Sequence, residues 1–189
     1  MRTLWLIAPL LALAACGQNA GQQAPASSAQ SAAAAGDACV AQATRDWMIG
    51  AARYRLDASG HGPSCAQAEA TITIRAPDNS VLFTQNYRTS DISLSFNPRG
   101  DQQTLNDDLN SWIENQAPGA TASSLPPWPQ GAEAPPQFRP AVTRDVYEAA
   151  RSGGHALFCY PDDGETNACV AIDTNAHHGV LLGSRLFEH

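Results

Sequence analysis

Two kinds of hydrophobic periodicity run along the chain, and the first has the period of two that is typical of β-strands. Segments 71–75 and 81–87 each carry large apolar residues in the phase of one strand face, and turn residues at 77–80 separate them. These segments predict a β-hairpin. A third strand is predicted just after it, where apolar residues alternate with serines at Ile92, Leu94 and Phe96.

The second periodicity is helical. Asp101 offers an N-cap to a helix that ends at Pro118-Gly119, and its apolar positions are Leu105, Leu109, Trp112 and Ile113. A second helix is predicted from Pro140 to Gly153-Gly154, with its apolar face at Val142, Val146 and Ala150.

The segment before residue 65 fits two interpretations. A helix over 38–52 places five side chains on one face: Val40, Thr44, Trp47, Met48 and Ala51. Residues 53–57, in contrast, alternate as a strand does. We predict the helix over 38–52 and a loop over 59–64.

The four cysteines after residue 36 are an even number and predict two disulfides. Residues 156–160 and 168–172 have strand-like sequences, and the turn residues 161–167 lie between them. If this hairpin is symmetric about Gly164, Cys159 faces Cys169, which leaves Cys39 to pair with Cys65. Neither a CxxC motif nor a Cys-His set at metal-ligand spacing is present, so these bridges are expected to be structural.

The order of these elements predicts the fold class. A last strand over 180–182, running on to Phe187, completes a series of strands, helices and strands. We expect an α+β domain over 37–189, with one antiparallel sheet of about five to six strands and two or three helices packed on one face.

The first 16 residues carry a processing signal. Arg2 precedes the short apolar run 4–12, and Leu13-Ala14-Ala15-Cys16 follows it. This run is too short for a membrane helix, which needs about 20 residues. The pattern resembles the signal peptide and lipobox of bacterial lipoproteins. The resemblance implies removal of residues 1–15 and attachment of fatty acyl chains such as palmitate at Cys16.

Residues 16–36 predict a flexible tether. After Cys16 they hold Gly, Gln, Asn, Ala, Pro and Ser but no charged, aromatic or large aliphatic residue. Such a coil spans roughly 25 Å on average. In proteobacterial lipoproteins an Asp after the modified cysteine favours the inner membrane, and this chain has Gly17 there. The resemblance therefore implies the periplasmic face of the outer membrane.

The charge of the chain excludes one class of partner. It has no lysine, and once Arg2 is removed with the signal, 10 arginines and 18 acidic residues give a net charge of −8. An acidic domain is repelled by nucleic acid and by anionic headgroups. We therefore expect a protein of the envelope as partner, beside the membrane that holds the lipid anchor.

A proline-rich segment over 120–139 surrounds Trp128 and ends near Phe138. Such segments bind partners at reduced entropic cost, so Trp128 and Phe138 are candidate partner contacts. The alternative is a crossover whose two aromatic residues pack on their own domain, and we favour it because long loops in compact domains usually use the core to stay ordered.

The candidates for chemistry are histidines and acidic residues near the last hairpin: His155, His177, His178, His189, Asp162, Asp163, Glu165, Asp173 and Asn175. Residues 173–179 differ from a calcium loop because His177 and His178 replace an oxygen ligand and a glycine. The sequence has no HExxH, GxSxG or Walker motif. We therefore predict no catalytic, cofactor or metal site, and expect solvated turns.

Three functions remain open. The first is a non-enzymatic binding or assembly module, because a flexible tether raises the effective concentration of a domain near membrane-bound partners. The second is an inhibitor of a basic enzyme, such as a cell-wall lytic enzyme, which the charge of −8 would favour. The third is a hydrolase that uses His155, His177 or His178 with an aspartate.

Overall fold

The computed structural model describes residues 38–114 and 119–186. In this part of the chain, eight strands form two four-stranded antiparallel sheets, accompanied by two α-helices. Several predictions fall outside the described residues: the signal peptide 1–15, the lipobox with Cys16, the tether to Gly36, and Pro118, Phe187 and His189.

The first sheet is a meander in which each strand pairs with the next. Its order is β1-β2-β3-β4, with β1 at Cys39–Ile49, β2 at Ala52–Gly62, β3 at Glu69–Arg75 and β4 at Val81–Arg88. A 3-10 turn at Cys65–Gln67 joins β2 to β3, and another at Thr89–Ile92 follows β4.

The second sheet comes from the C-terminal part. Its order is β5-β8-β7-β6, with β5 at Phe138–Pro140, β6 at Ala156–Pro161, β7 at Thr166–Asp173 and β8 at His178–Leu186. Helix α1 spans Gln102–Trp112 and helix α2 spans Arg144–Ser152.

The two sheets differ in how much of them is buried. In the first sheet Leu56, Ile72 and Ile74 point into the core, whereas Thr73 and Thr84 lie on the opposite, polar face. The second sheet is buried on both faces, because consecutive residues of β7 enter two different cores. This explains its nearly continuous apolar sequence, which is typical of a strand covered on both sides.

The larger core lies between the sheets and includes α1. Trp112 packs edge-on against Tyr87, Phe96 and Tyr160. Its indole Nε1 donates a 2.7 Å hydrogen bond to the carbonyl of Pro161, so the last turn of α1 is fixed to the second sheet. The hydroxyls of Tyr87 and Tyr160 lie 2.9 Å apart, and burial raises the pKa of Tyr87 to about 12.

The smaller core covers the other face of the second sheet. Tyr147 and Ala150 are the buried residues of α2, and they pack there with the proline-rich segment. The Tyr147 hydroxyl donates to the carbonyl of Pro126, and Arg151 Nε donates to that of Leu125. These bonds hold the proline-rich segment against α2.

Both predicted disulfides are confirmed. Cys159 lies directly opposite Cys169 in the β6–β7 ladder, as symmetry about Gly164 requires, and the two sulfurs are bonded. Cys39 is bonded to Cys65, which ties the start of β1 to the turn after β2.

The predicted helix over 38–52 is wrong, because this segment forms β1 and the start of β2. Its buried positions alternate strictly, but three of them are the small residues Cys39, Ala41 and Ala43, while the larger Val40 and Met48 are exposed. The predicted loop over 59–64 is also wrong, since β2 continues to Gly62.

The third strand predicted over 92–96 is a pair of turns instead. The N–H of Phe96 donates to the carbonyl of Ile92, four residues earlier, as in one turn of a helix. Ile92 and Phe96 are therefore both buried, whereas Leu94 between them is exposed. Helix α2 begins at Arg144 and not at Pro140, which lies in β5. Val146, expected on its apolar face, is 43% exposed.

The α+β class is therefore correct in broad terms, and the expected arrangement is not. The strands form two sheets of four, where one sheet of five to six was predicted. The helices do not share one face: α1 belongs to the core between the sheets, and α2 to the core behind the second sheet.

Candidate functional site

The structure brings His155 and Asp173 together at one end of the β6–β7 hairpin. His155 directly precedes β6 and Asp173 ends β7, and the pairing of Ala156 with Ile172 makes them neighbours across the ladder. His155 Nε2 lies 3.7 Å from Asp173 Oδ2, and the two side chains are 27% and 33% exposed. The pair is accessible to a ligand and is held by the sheet.

The carboxylate of Asp173 is fixed by the turn that follows β7. Its Oδ1 accepts hydrogen bonds of 2.9 Å from the N–H groups of Ala176 and Asn175. The bond from Ala176 is the main cause that holds the pKa of Asp173 below its usual value, and the charges of His155 and His178 lower it further. Asp173 is therefore ionised at neutral pH, with Oδ2 turned towards His155.

Helix α2 positions the imidazole of His155. The backbone N–H of His155 donates to the carbonyl of Ala150, so the residue closes the C-terminal end of the helix. A Cβ at position 153 would lie 2.7 Å from His155 Nε2. Gly153 therefore provides the space in which this ring lies over the end of α2.

Two adjoining hollows meet at the pair. The first, which we call the end hollow, has a volume of about 370 Å³. Four parts of the chain surround it: the end of β1, the end of α2, the end of the β6–β7 hairpin, and residues 119–121. The backbone of this last segment is hydrogen-bonded to the start of β6. Beside His155 and Asp173 its lining is Trp47, Met48, Ile49, Gly50, Gly119, Ala120, Thr121, Gly153, Gly154, Ala156, Ile172, Thr174 and Asn175.

The second, which we call the side hollow, measures about 410 Å³ and lies between α2 and the second sheet. His155, Asp173 and His178 supply its polar groups. The remaining lining is apolar and consists of Val146, Ala149, Ala150, Ala171, Ala176 and Val180. A ligand in this hollow would contact an apolar surface that ends at an ionised carboxylate.

The two adjacent histidines have different surroundings. His178 pairs with Asp173 in the β7–β8 ladder and lines the side hollow. His177 occupies a turn with a φ of +51°, and its charge acts on Asp78 in the β3–β4 turn. Of the predicted candidates, the structure thus groups His155, Asp173, Asn175 and His178 around the two hollows and leaves His177 apart.

The acidic residues of the β6–β7 turn lie at the other end of that hairpin. Asp163 Oδ1 accepts N–H bonds from Glu165 and Thr166 at 2.6 and 2.7 Å. Asp162 accepts hydroxyl bonds from Thr166 and Ser184. These carboxylates shape the turn, and the structure does not bring them to His155.

The two aromatic candidates for partner contact have different positions. Phe138 is 3% exposed and belongs to the smaller core. Trp128 is half-buried, with its ring 5.6 Å from that of Tyr147 and its Nε1 donating to the carbonyl of Ala132. Both side chains pack on their own domain, as in the alternative that we favoured from the sequence.

The chemistry available at the pair is limited by its neighbours. Among residues 38–114 and 119–186, no group of three or more His, Cys, Asp or Glu side chains could hold a metal ion. The hydroxyls that line the hollows belong to Thr121 and Thr174, and Thr121 Oγ1 already shares a 2.7 Å hydrogen bond with Ser123. The arrangement can bind a ligand by charge, hydrogen bonding and apolar contact.

No described helix is long and apolar enough to cross a membrane. Comparisons of the chain with protein-family models, with curated proteins and with solved structures found no match.

Proposed function

We propose that the protein is a non-enzymatic lipoprotein of the bacterial outer envelope that binds another envelope protein. In this proposal Cys16 carries the lipid anchor, residues 16–36 form the tether, and the folded part faces the periplasm. The observation that carries it is the meeting of the two hollows at the His155–Asp173 pair. A fixed charge beside an open apolar surface is the composition expected of a recognition site.

Binding fits the pair better than catalysis does. A hydrolase of the Ser-His-Asp or Cys-His type needs a nucleophile within about 3 Å of its base. Neither serine nor cysteine lines the hollows in the described part of the chain. A hydrolase that uses His155 with Asp173 is therefore the last of the three functions.

An inhibitor of a basic cell-wall lytic enzyme is the narrower form of the same proposal. The feature that favours it is Asp173, whose carboxylate is ionised and 33% exposed on a chain of strongly negative net charge. Such a charge would steer a basic protein towards the domain.

We expect Cys16→Ser to release the protein from the membrane. The reason is that two or three acyl chains hold a protein on a bilayer, whereas the tether has no large aliphatic or aromatic side chain that could insert in it. Fractionation of cells without detergent measures this, with the wild-type chain as reference. Equal recovery of wild type and variant in the soluble fraction would remove the anchor from the proposal.

A photocrosslinking amino acid at position 146 tests the binding site in living cells. Val146 lines the side hollow and is 43% exposed, whereas Val40 on the outer face of β1 is 50% exposed and serves as a matched control. We expect a discrete protein adduct from position 146, weaker or absent at position 40, and reduced by Cys16→Ser. Equal adducts from both positions, or none from position 146, would contradict the proposed site.

A further inference from the structure

The side hollow and the end hollow share one carboxylate, that of Asp173, and this determines which ligand they suit. We infer that the binding partner places a lysine or arginine side chain against the Asp173 carboxylate, with an apolar segment beside it in the side hollow. This inference rests on the proposed function, and it adds the chemistry of the partner.

Asp173 is the one carboxylate in either lining, and neither lining contains an arginine or lysine in the part of the chain that the structure describes. Asp57 shows the contrasting case, because it pairs with two arginines, Arg55 and Arg75, each at 2.9 Å. In residues 38–114 and 119–186 the ion-pair contact of Asp173 is with His155, at 3.7 Å. A ligand cation can therefore supply the opposite charge that arginine supplies to Asp57.

The end of α2 favours a cation at the same place. The C-terminal end of a helix carries partial negative charge on its last carbonyl groups. Gly153 and Gly154, which end α2, line the end hollow beside His155. The helix end and the Asp173 carboxylate therefore both attract a cation, and both would repel an anionic ligand.

The apolar lining explains why the cation is expected on a protein side chain. Lysine and arginine have long methylene stems that pack along apolar surface while the charged group reaches a polar one. Val146, Ala149 and Val180 provide such a surface, which leads to Asp173. A small inorganic cation would leave this surface unused.

The test uses the full mature chain with Cys16→Ser and two peptides that differ only in charge. The probes are acetyl-Leu-Arg-Leu-amide and the same peptide with neutral citrulline in place of arginine, titrated by NMR chemical shifts. We expect the arginine peptide to shift signals of residues that line the hollows and to bind about fivefold more tightly than the citrulline peptide, the size of effect expected for a partly exposed ion pair.

Asp173→Asn should abolish that preference, because the amide keeps an oxygen for the turn and loses the charge. Asp163→Asn is the matched control: Asp163 also accepts two backbone N–H bonds in a turn and lies outside both linings. Equal binding of the two peptides, no shifts at the lining, or an equal loss in Asp163→Asn would overturn the inference. If Asp173→Asn left the adduct from position 146 unchanged, the inferred lysine or arginine contact would be contradicted, while the proposed binding function would still be supported.

Discussion

Trp112→Ala is expected to lower the free energy of unfolding by about 3 to 5 kcal/mol, the usual cost of removing a buried tryptophan. Trp112 is 1% exposed and contacts Tyr87, Phe96 and Tyr160, which belong to separate segments around α1. The substitution would leave a cavity among these rings, and it would also leave the carbonyl of Pro161 without the indole donor. Urea unfolding followed by circular dichroism measures the change.

Trp128→Ala is the matched control for this prediction. Trp128 has the same side chain but is half-buried and packs mainly on Tyr147 and the proline-rich segment. We expect a loss of about 1 to 2 kcal/mol, since less apolar area returns to water. Equal losses from the two variants would show that α1 is not fixed to the second sheet through Trp112 as described.

The elements that could be predicted from the sequence are those in which large residues carry the pattern. Strand β3 alternates isoleucine with threonine, and α1 repeats Leu105, Leu109 and Trp112 after the N-cap Asp101. The cysteine hairpin adds a symmetric turn about Gly164, which was enough to predict both disulfides.

The first two strands could not be predicted, because their buried side chains are small. Ala41, Ala43 and Ala58 count little in a hydrophobic pattern, and Gly60 counts as a loop residue. In the structure a Cβ at Gly60 would lie 2.9 Å from Leu105, so this glycine marks the close approach of α1 to β2. The need for glycine at position 60 arises from tertiary packing, so the local sequence pattern does not reveal it.

Part of the candidate site could have been predicted from the sequence. The hairpin register that pairs Cys159 with Cys169 also places residue 155 opposite residue 173, and extending it by four residues predicts the pair. The lining from Trp47 to Gly50 and from Gly119 to Thr121 could not be found in this way. These residues reach the pair through the packing of other elements.

Gly183→Ala is expected to destabilise the second sheet strongly. Gly183 has a φ of +143°, and a Cβ there would lie 2.1 Å from the carbonyl oxygen of Arg139 and 2.7 Å from Phe138 Cε1. Backbone strain of about 1 to 3 kcal/mol adds to overpacking of about 1 to 3 kcal/mol. We therefore expect a loss of roughly 2 to 6 kcal/mol in the free energy of unfolding.

The control for Gly183→Ala separates the clash from the strain. Gly131 also has a positive φ, +73°, but a Cβ there meets nothing within 4 Å. Gly131→Ala should cost about 1 to 2 kcal/mol, the strain of the left-handed conformation alone. Hydrogen exchange adds a local measurement: because β5 pairs with β8 at Phe138–Arg185, Arg139–Ser184 and Pro140–Gly183, we expect Gly183→Ala to weaken protection in β5 and β8 first. If the two variants lost equal stability, the clash of the new Cβ with β5 would not be the cause of the larger loss expected for Gly183→Ala.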